Sequence, residues 1–324
     1  MNPPADRMTP AVSVIMPCFN SARSVAGSAA SALGQTMRNL ELIVVDNGSS
    51  DQTMPIVEAI GDSRVRVLRQ PIRGVSAARN MGIEAARSEF IAFLDSDDTW
   101  AAECLAKLHA ALVARPDAVL AYCGWQNLGL RGGRDAPFVP PDYERSDKIE
   151  ALLGGCRWPI HAALTRTRAI REAGGFDPRF AYAEDFGLWL RLAAFARVVR
   201  VPEVLAFYHH HDGPRATRDL VRAACQLRAV QRDFLRCHPQ FGRGLGRRRI
   251  RQMVDGELLR RGMESYWARD LDAAHAIFRM VLKAGYLKLA ESRYVLPALL
   301  PRRAFRALVS RLERSRGENR PTRA

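Results

Sequence analysis

Three aspartates fall within four residues in the stretch FLDSDDTW, Phe93–Trp100. Carboxylates this close repel one another and resist leaving water. They follow an apolar run, EFIAFL, so the crowding sits at the end of a strand-like segment. A hard divalent cation with oxygen ligands explains it. The cation offsets the repulsion and keeps coordination places open for substrate phosphates. Asp95 and Asp97, one residue apart, are the candidate ligands. The plainer reading is a solvated acidic turn in which Asp98 or Thr99 caps the next helix.

Other segments carry compatible chemistry. DNGSSD, Asp46–Asp51, also closes an apolar run, and the Asp46 carboxylate is placed to accept from the imide N–H of uracil. Its plainer reading is an Asn-Gly turn. SAARN, Ser76–Asn80, sets Arg79 near a helix start, where it can hold a phosphate or the aspartate cluster. A lone surface arginine is the alternative. EDFGLW, Glu184–Trp189, puts Asp185 at a helix start, where the helix dipole favours the ionised form a general base needs. First-turn stabilisation alone would also place it there. HHHD, His209–Asp212, follows the apolar VLAFY. One of its imidazoles can complete the aspartates' coordination sphere, or all are simply polar strand-end residues.

These groups must be positioned by a scaffold, and the first hundred residues supply an alternation of strand-like and helix-like patterns. VSVIMP (Val12–Pro17), ELIVVD (Glu41–Asp46), RVRVLR (Arg64–Arg69) and EFIAFL read as four strands. Helical patterns lie between them, including Asp51–Ile60 and a helix that Ser76 would cap and that runs to about Arg87. This repetition predicts a mostly parallel sheet flanked by helices. The polar clusters PCFN, DNGSSD and DSDD then share the carboxyl edge of the sheet, where open α/β sheets bind ligands. PCFN is not a glycine-rich phosphate loop, which speaks against a dinucleotide or P-loop fold. Further on, Phe186, Trp189, Leu190 and Ala193 share one helical face, and from Arg218 the pattern is helical and arginine-rich.

The chain of 324 residues has no apolar run long enough to span a bilayer. Its opening, MNPPADRMTP, has Pro and Asp where a signal peptide needs an apolar core. Six cysteines show neither CxxC pairs nor zinc spacing, so free thiols in a cytoplasmic protein are expected. The net charge of +15 is lopsided. Residues 1–212 hold 23 Lys and Arg against 24 Asp and Glu, while residues 213–324 hold 26 against 10. The basicity belongs to the C-terminal third.

Taken in order, VSVIMPCFN, LELIVVDNGSSDQT, RGVSAARNMGIEAARSEFIAFLDSDD, GGFDPRF, AEDFGLWLRL and FYHHHDG resemble the family 2 glycosyltransferases of the GT-A fold, over about residues 11–215. The resemblance implies a nucleotide-diphospho-sugar transferase fold in residues 1–215, followed by a basic helical region in residues 216–324. It implies inverting sugar transfer from a nucleotide sugar, UDP-linked in the common case, to a glycan, lipid-linked or other hydroxyl acceptor in cell-envelope polysaccharide synthesis. Pro17 and Asn20 lie where the family contacts the nucleoside, Asp46 where it reads the base, and Arg79 beside nucleotide and metal. Asp95 and Asp97 match the DxD motif that holds Mn2+ or Mg2+, with Asp97 the closer metal ligand and Asp95 facing ribose or metal. Asp185 matches the catalytic base and His211 a histidine that can ligate the metal. The family's second aspartate after Asp46 is Asn47 here, and the arginine often found after Tyr208 is His209.

GRGLGRRRIRQ (Gly242–Gln252) and YVLPALLPRRAFRALVSRLERSR (Tyr294–Arg316) give the C-terminal region its charge. They are read either as a cationic surface in peripheral contact with the anionic inner face of the plasma membrane, or as a helical cap with a solvated face. No stacking motif supports nucleic-acid binding. The alternative overall function is a catalytically silent nucleotide-sugar binder acting through this basic region.

Overall fold

A computed structural model describes residues 9–71, 73–130, 135–210 and 219–317, with side chains as far as Arg311. The chain divides into two compact units, Met1–Gly213 and Pro214–Ala324.

The first unit is built on one eight-stranded sheet. Its strands are β1 (Val12–Cys18), β2 (Leu40–Asp46), β3 (Val65–Arg69), β4 (Phe90–Phe93), β5 (Thr99–Trp100), β6 (Ala118–Leu128), β7 (Ala163–Arg166) and β8 (Arg197–His209), in the order β3-β2-β1-β4-β7-β6-β8-β5. The four strands read from the sequence pair in parallel. Every residue of β1, β2 and β4 is buried, as expected of continuous apolar runs covered on both faces. The second half is mixed: β7 runs antiparallel to both β4 and β6, β6 and β8 are parallel, and β5 lies antiparallel to the end of β8. Register fixes the site. Cys18 stands beside Asp46, Ile15 beside Phe93, and the Leu94 N–H bonds to the Ile15 carbonyl. The ends of β1, β2 and β4 therefore share one edge, and Asp95 follows directly from it.

Among the described residues, seven α-helices complete the unit: α1 (Val25–Leu33), α2 (Thr53–Glu58), α3 (Val75–Ala85), α4 (Cys104–Val113), α5 (Lys148–Leu153), α6 (Thr167–Glu172) and α7 (Glu184–Ala193). The apolar face expected of α7 is buried at Phe186, Trp189, Leu190 and Ala193, and Leu188 and Leu192 are buried too. Ser76 does not cap α3. Gly74 takes that position with φ 152°, its N–H donated to Asn47 Oδ1 at 2.9 Å. Ser76 is instead inside the first turn, buried, with its hydroxyl lacking a partner.

The second unit is helical: α8 (Leu220–Cys237), α9 (Pro239–Leu245), α10 (Arg247–Trp267), α11 (Leu271–Lys283), α12 (Ser292–Val295) and α13 (Arg302–Gly317). Leu258, Leu259, Ile277, Phe278, Val281 and Phe305 form its core. Among the described residues no helix is long and apolar enough to cross a membrane.

Helix α3 lies close on β1 because residue 82 is glycine. A methyl group there would overlap Ile15 Cγ2. Replacing a mid-helix glycine by alanine normally gains about 1 kcal/mol, whereas overpacking a core costs about 1–3 kcal/mol. At Gly82 the second effect wins; at the exposed Gly27 of α1, where nothing lies within 4 Å, only the first operates. Urea unfolding should find Gly82→Ala destabilised and Gly27→Ala stabilised. Equal effects would mean that α3 is not seated as described.

Candidate active site

Arg79 is carried into the protein by α3, with 3% of its side chain exposed. An unpaired guanidinium at that depth would cost several kcal/mol. Two carboxylates compensate it: Nη2 donates to Asp95 Oδ1 and Nη1 to Glu184 Oε1, each at 2.7 Å. Burial disfavours its charge, but Asp95 and Glu184 outweigh burial and hold Arg79 firmly protonated. The guanidinium also lies 5.3 Å over the centre of the Phe176 ring, which meets Phe93 edge-on at 5.0 Å.

The GGF turn before α7 is clamped to α3. Asn80 accepts from the Phe176 N–H and donates to the Phe176 carbonyl, both at 2.8 Å. Gly175 has φ 64°, and a Cβ there would stand 2.6 Å from Asn80 Oδ1, so the turn needs glycine on both counts. This turn is thus the floor beneath Arg79.

On the other side, the loops after β1 and β2 are joined. Asn20, in the left-handed region at φ 50°, donates its N–H to Ser49 Oγ and accepts from the Ser50 N–H at 2.8 Å. Asp46 accepts from the Ser49 N–H at 2.9 Å and is 8% exposed. Pro17 is buried within β1, so the exposed residues of PCFN are Phe19 and Asn20. The Arg73 guanidinium lies 4.7 Å over the Phe19 ring. Burial pushes the Cys18 thiol up to about 12, and the charges of Asp46, Asp95 and Asp97 add to the rise.

The crowded aspartates separate by direction. Asp98 turns inward, 1% exposed, accepting from the His209 N–H at 3.0 Å and standing 3.0 Å from His161 Nδ1. Burial disfavours charge on His161, but Asp98 foremost, with Asp95 and Asp97, keeps the imidazole above its ordinary pKa. His209 Nε2 is 2.8 Å from Thr99 Oγ1. Asp98 and His209 therefore fasten the turn to the end of β8. Asp95 and Asp97 remain half-buried at the sheet edge. Two aspartates offering hard oxygen donors suit a divalent cation that keeps its other places for water or phosphate. Among the described residues no group of three potential ligands gathers around one point, and His211 lies outside them.

Asp185 opens α7 beside Glu184. Its Oδ1 accepts from the Phe186 N–H at 2.6 Å, and Cys156 Sγ stands 3.6 Å from its Oδ2. Burial raises its pKa above the ordinary aspartate range, against the pull of the Phe186 N–H and Arg79. Burial raises Glu184 as well, against Arg79, with the Asp185 charge adding to the rise. Glu184, next to Asp185 in the chain, thus meets the Asp95 side of the site through one guanidinium.

The model of glycosyl transferase family 2 matches residues 13–166. WfaP of Escherichia coli, a UDP-Glc:alpha-D-GlcNAc-diphosphoundecaprenol beta-1,3-glucosyltransferase, is 39% identical over 230 residues, covering 68% of this chain and 86% of its own. The chain belongs to glycosyl transferase family 2. EpsJ of Bacillus subtilis, an uncharacterised glycosyltransferase, is 42% identical to this glycosyltransferase over 241 residues, covering 70% of this chain and 68% of its own. Among solved structures, S. aureus TarS with UDP-GlcNAc aligns at a TM-score of 0.56 with 19% identity, over 85% of this chain and 92% of that one. The mannosyltransferase PcManGT of Pyrobaculum calidifontis, in complex with GDP-Man and Mn2+, aligns at 0.55 with 20% identity, over 93% and 83%. At such identities the likeness is one of fold, the GT-A fold.

Sequence reasoning about this glycosyltransferase missed Glu184 as a partner of Arg79, Asn80 as the clamp on Phe176, and the use of Asn47 to hold Gly74. The motifs containing them were visible; the partners, 105 and 96 residues away in the first two cases, were not. Asn80→Ala strands the buried N–H and carbonyl of Phe176 and should cost about 1–3 kcal/mol in urea unfolding. Asn80→Asp keeps an acceptor for the N–H and should lose less. Equal losses would show that the acceptor half of the clamp contributes nothing.

Proposed function

We propose that the unit Met1–Gly213 transfers a sugar from a nucleoside-diphosphate sugar, with UDP as the favoured nucleotide, to a hydroxyl acceptor with inversion at the anomeric carbon. The observation that carries this reading is Arg79 bridging Asp95 and Glu184 at 2.7 Å each. It sets the DxD side and the Glu184–Asp185 side of the site within one guanidinium's reach.

Asp46, Asn20 and the adjoining loop receive the nucleoside, Asp46 accepting from the imide N–H of the base. Asp95 and Asp97, with His211 as a further ligand, hold a divalent cation, Mn2+ or Mg2+, which supplies positive charge to the departing diphosphate. Arg79 orients the Asp95 carboxylate and keeps positive charge near the leaving group. Asp185 accepts the proton of the acceptor hydroxyl as the new glycosidic bond forms and the bond to the diphosphate breaks. Its raised pKa brings it closer to a proton acceptor's working range than an ordinary aspartate. WfaP and WfgD of E. coli bear names that specify UDP-glucose and a polyprenyl-diphosphate-linked acceptor. They favour UDP and a lipid-linked glycan here, within polysaccharide synthesis.

Release of UDP, GDP or dTDP from a donor panel, with and without Mn2+, tests the donor class, and the anomeric configuration of the product by NMR tests inversion. Asp185→Asn should lower transfer by roughly a hundredfold or more while UDP binding persists; loss of UDP binding would overturn the role. In the unmodified enzyme kcat/KM should rise with pH through a midpoint above the ordinary aspartate value of about 3.9, because only ionised Asp185 accepts a proton. A flat profile down to that value would remove Asp185 as the base.

A further inference from the structure

The second unit contains a cavity of about 580 Å3 between α8, α9 and the start of α10. Its size is that of a small-molecule site. Arg232, Arg243, Arg247 and Arg251 line it, and the carboxylate on its wall, Asp255, is already bound to Arg228 and Arg232. The side chains of Arg243 and Arg247 are exposed and make no ion pair or hydrogen bond with any described residue. Leu235, Pro239, Ile250 and Val254 make the remaining wall apolar.

The local sequence is electrostatically unfavourable unless an anion is present. Helix α10 has 21 residues and begins Arg247-Arg248-Arg249, with no acidic residue in the first turn and no side-chain cap. Its first N–H groups lack intrahelical acceptors and carry the positive end of the helix dipole. Three arginines there raise the energy that an acidic residue would lower. The cavity, the uncompensated arginines and the apolar wall together describe a place for a phosphoryl group carried on a hydrocarbon chain.

A second feature points to where such a group comes from. Arg251 donates to the Gly285 carbonyl, which ties the cavity wall to the segment that follows α11. That segment exposes Leu287 at 43% and Leu289 at 92%, and farther on Leu299 at 65%. Exposed leucines on a segment tied to a cationic cavity match an anionic bilayer, whose phosphates meet the arginines and whose acyl layer accepts the leucines.

We propose that the Arg243–Arg247 cavity of the C-terminal unit binds the phosphate headgroup of an anionic membrane lipid, with Leu287 and Leu289 entering the bilayer beside it. This site is independent of the donor and acceptor assigned above. The test is co-sedimentation of the full chain with vesicles of phosphatidylcholine alone or mixed with phosphatidylglycerol. The unmodified protein should bind the mixed vesicles and leave the neutral ones. Arg243→Gln with Arg247→Gln should weaken binding by roughly thirtyfold. Arg303→Gln with Arg311→Gln removes the same charge from α13, which does not line the cavity, and should weaken it less than about threefold. Equal losses in the two double variants would reduce the effect to net charge and overturn the site. Leu287→Ser with Leu289→Ser should also lose vesicle binding; full retention would contradict insertion. Inorganic pyrophosphate should compete weakly, and complete displacement at millimolar concentration would reassign the cavity to a soluble anion. All four arginine positions are exposed, so unchanged thermal unfolding is expected and separates lost binding from lost fold.

Discussion

The guanidinium of Arg79 holds Asp95 with one nitrogen and Glu184 with another, and the arrangement of the first unit follows from satisfying that buried charge. Neither carboxylate could be drawn inward without it, and it could not be buried without them. The requirement reaches back into the scaffold. Helix α3 must start where Asn47 holds Gly74 and must press on β1 at Gly82. The GGF turn must be fixed by Asn80 so that Phe176 lies beneath the guanidinium. Motifs far apart in sequence are therefore parts of one device.

The same logic resolves the crowding of acids after β4. The three carboxylates of DSDD do not share one environment. Asp95 is held by Arg79, and Asp98 is turned inward to the His209 N–H and His161. The inward acid fastens the turn to β8, while Asp95 and Asp97 lie half-buried at the edge where β1, β2 and β4 end. The acid that looks most like a helix cap in the sequence is the one that ties the turn to β8.

Legibility of the sequence followed the range of the interactions. Three of the four parallel strands were readable because fully buried runs such as VSVIMP and ELIVVD advertise themselves, and the half-buried RVRVLR because it alternates; register then carried Cys18, Asp46 and Asp95 to one edge. The antiparallel β7 was not, since ALTR is too short to show a period and owes its strand form to β4 and β6 on either side. Ser76 looked like a cap because its type suits one, but the φ of 152° needed before α3 selected Gly74 instead. For the candidate site, residue types drew attention to Asp46, Arg79, Asp95, Asp97 and Asp185, whose roles are proposals. Their supports, Glu184, Asn80 and His161, stayed hidden because each acts only across a tertiary contact.

The central claim is that Arg79 and Glu184 form an energetically coupled pair within that device. A double-mutant cycle in urea unfolding, with Arg79→Met, Glu184→Gln and the combined variant, measures it most directly. Arg79→Met should cost about 3–5 kcal/mol by leaving two part-buried carboxylates without their shared cation, and the combined variant should cost less than the sum of the single changes by about 1–3 kcal/mol. Additive costs would contradict the account.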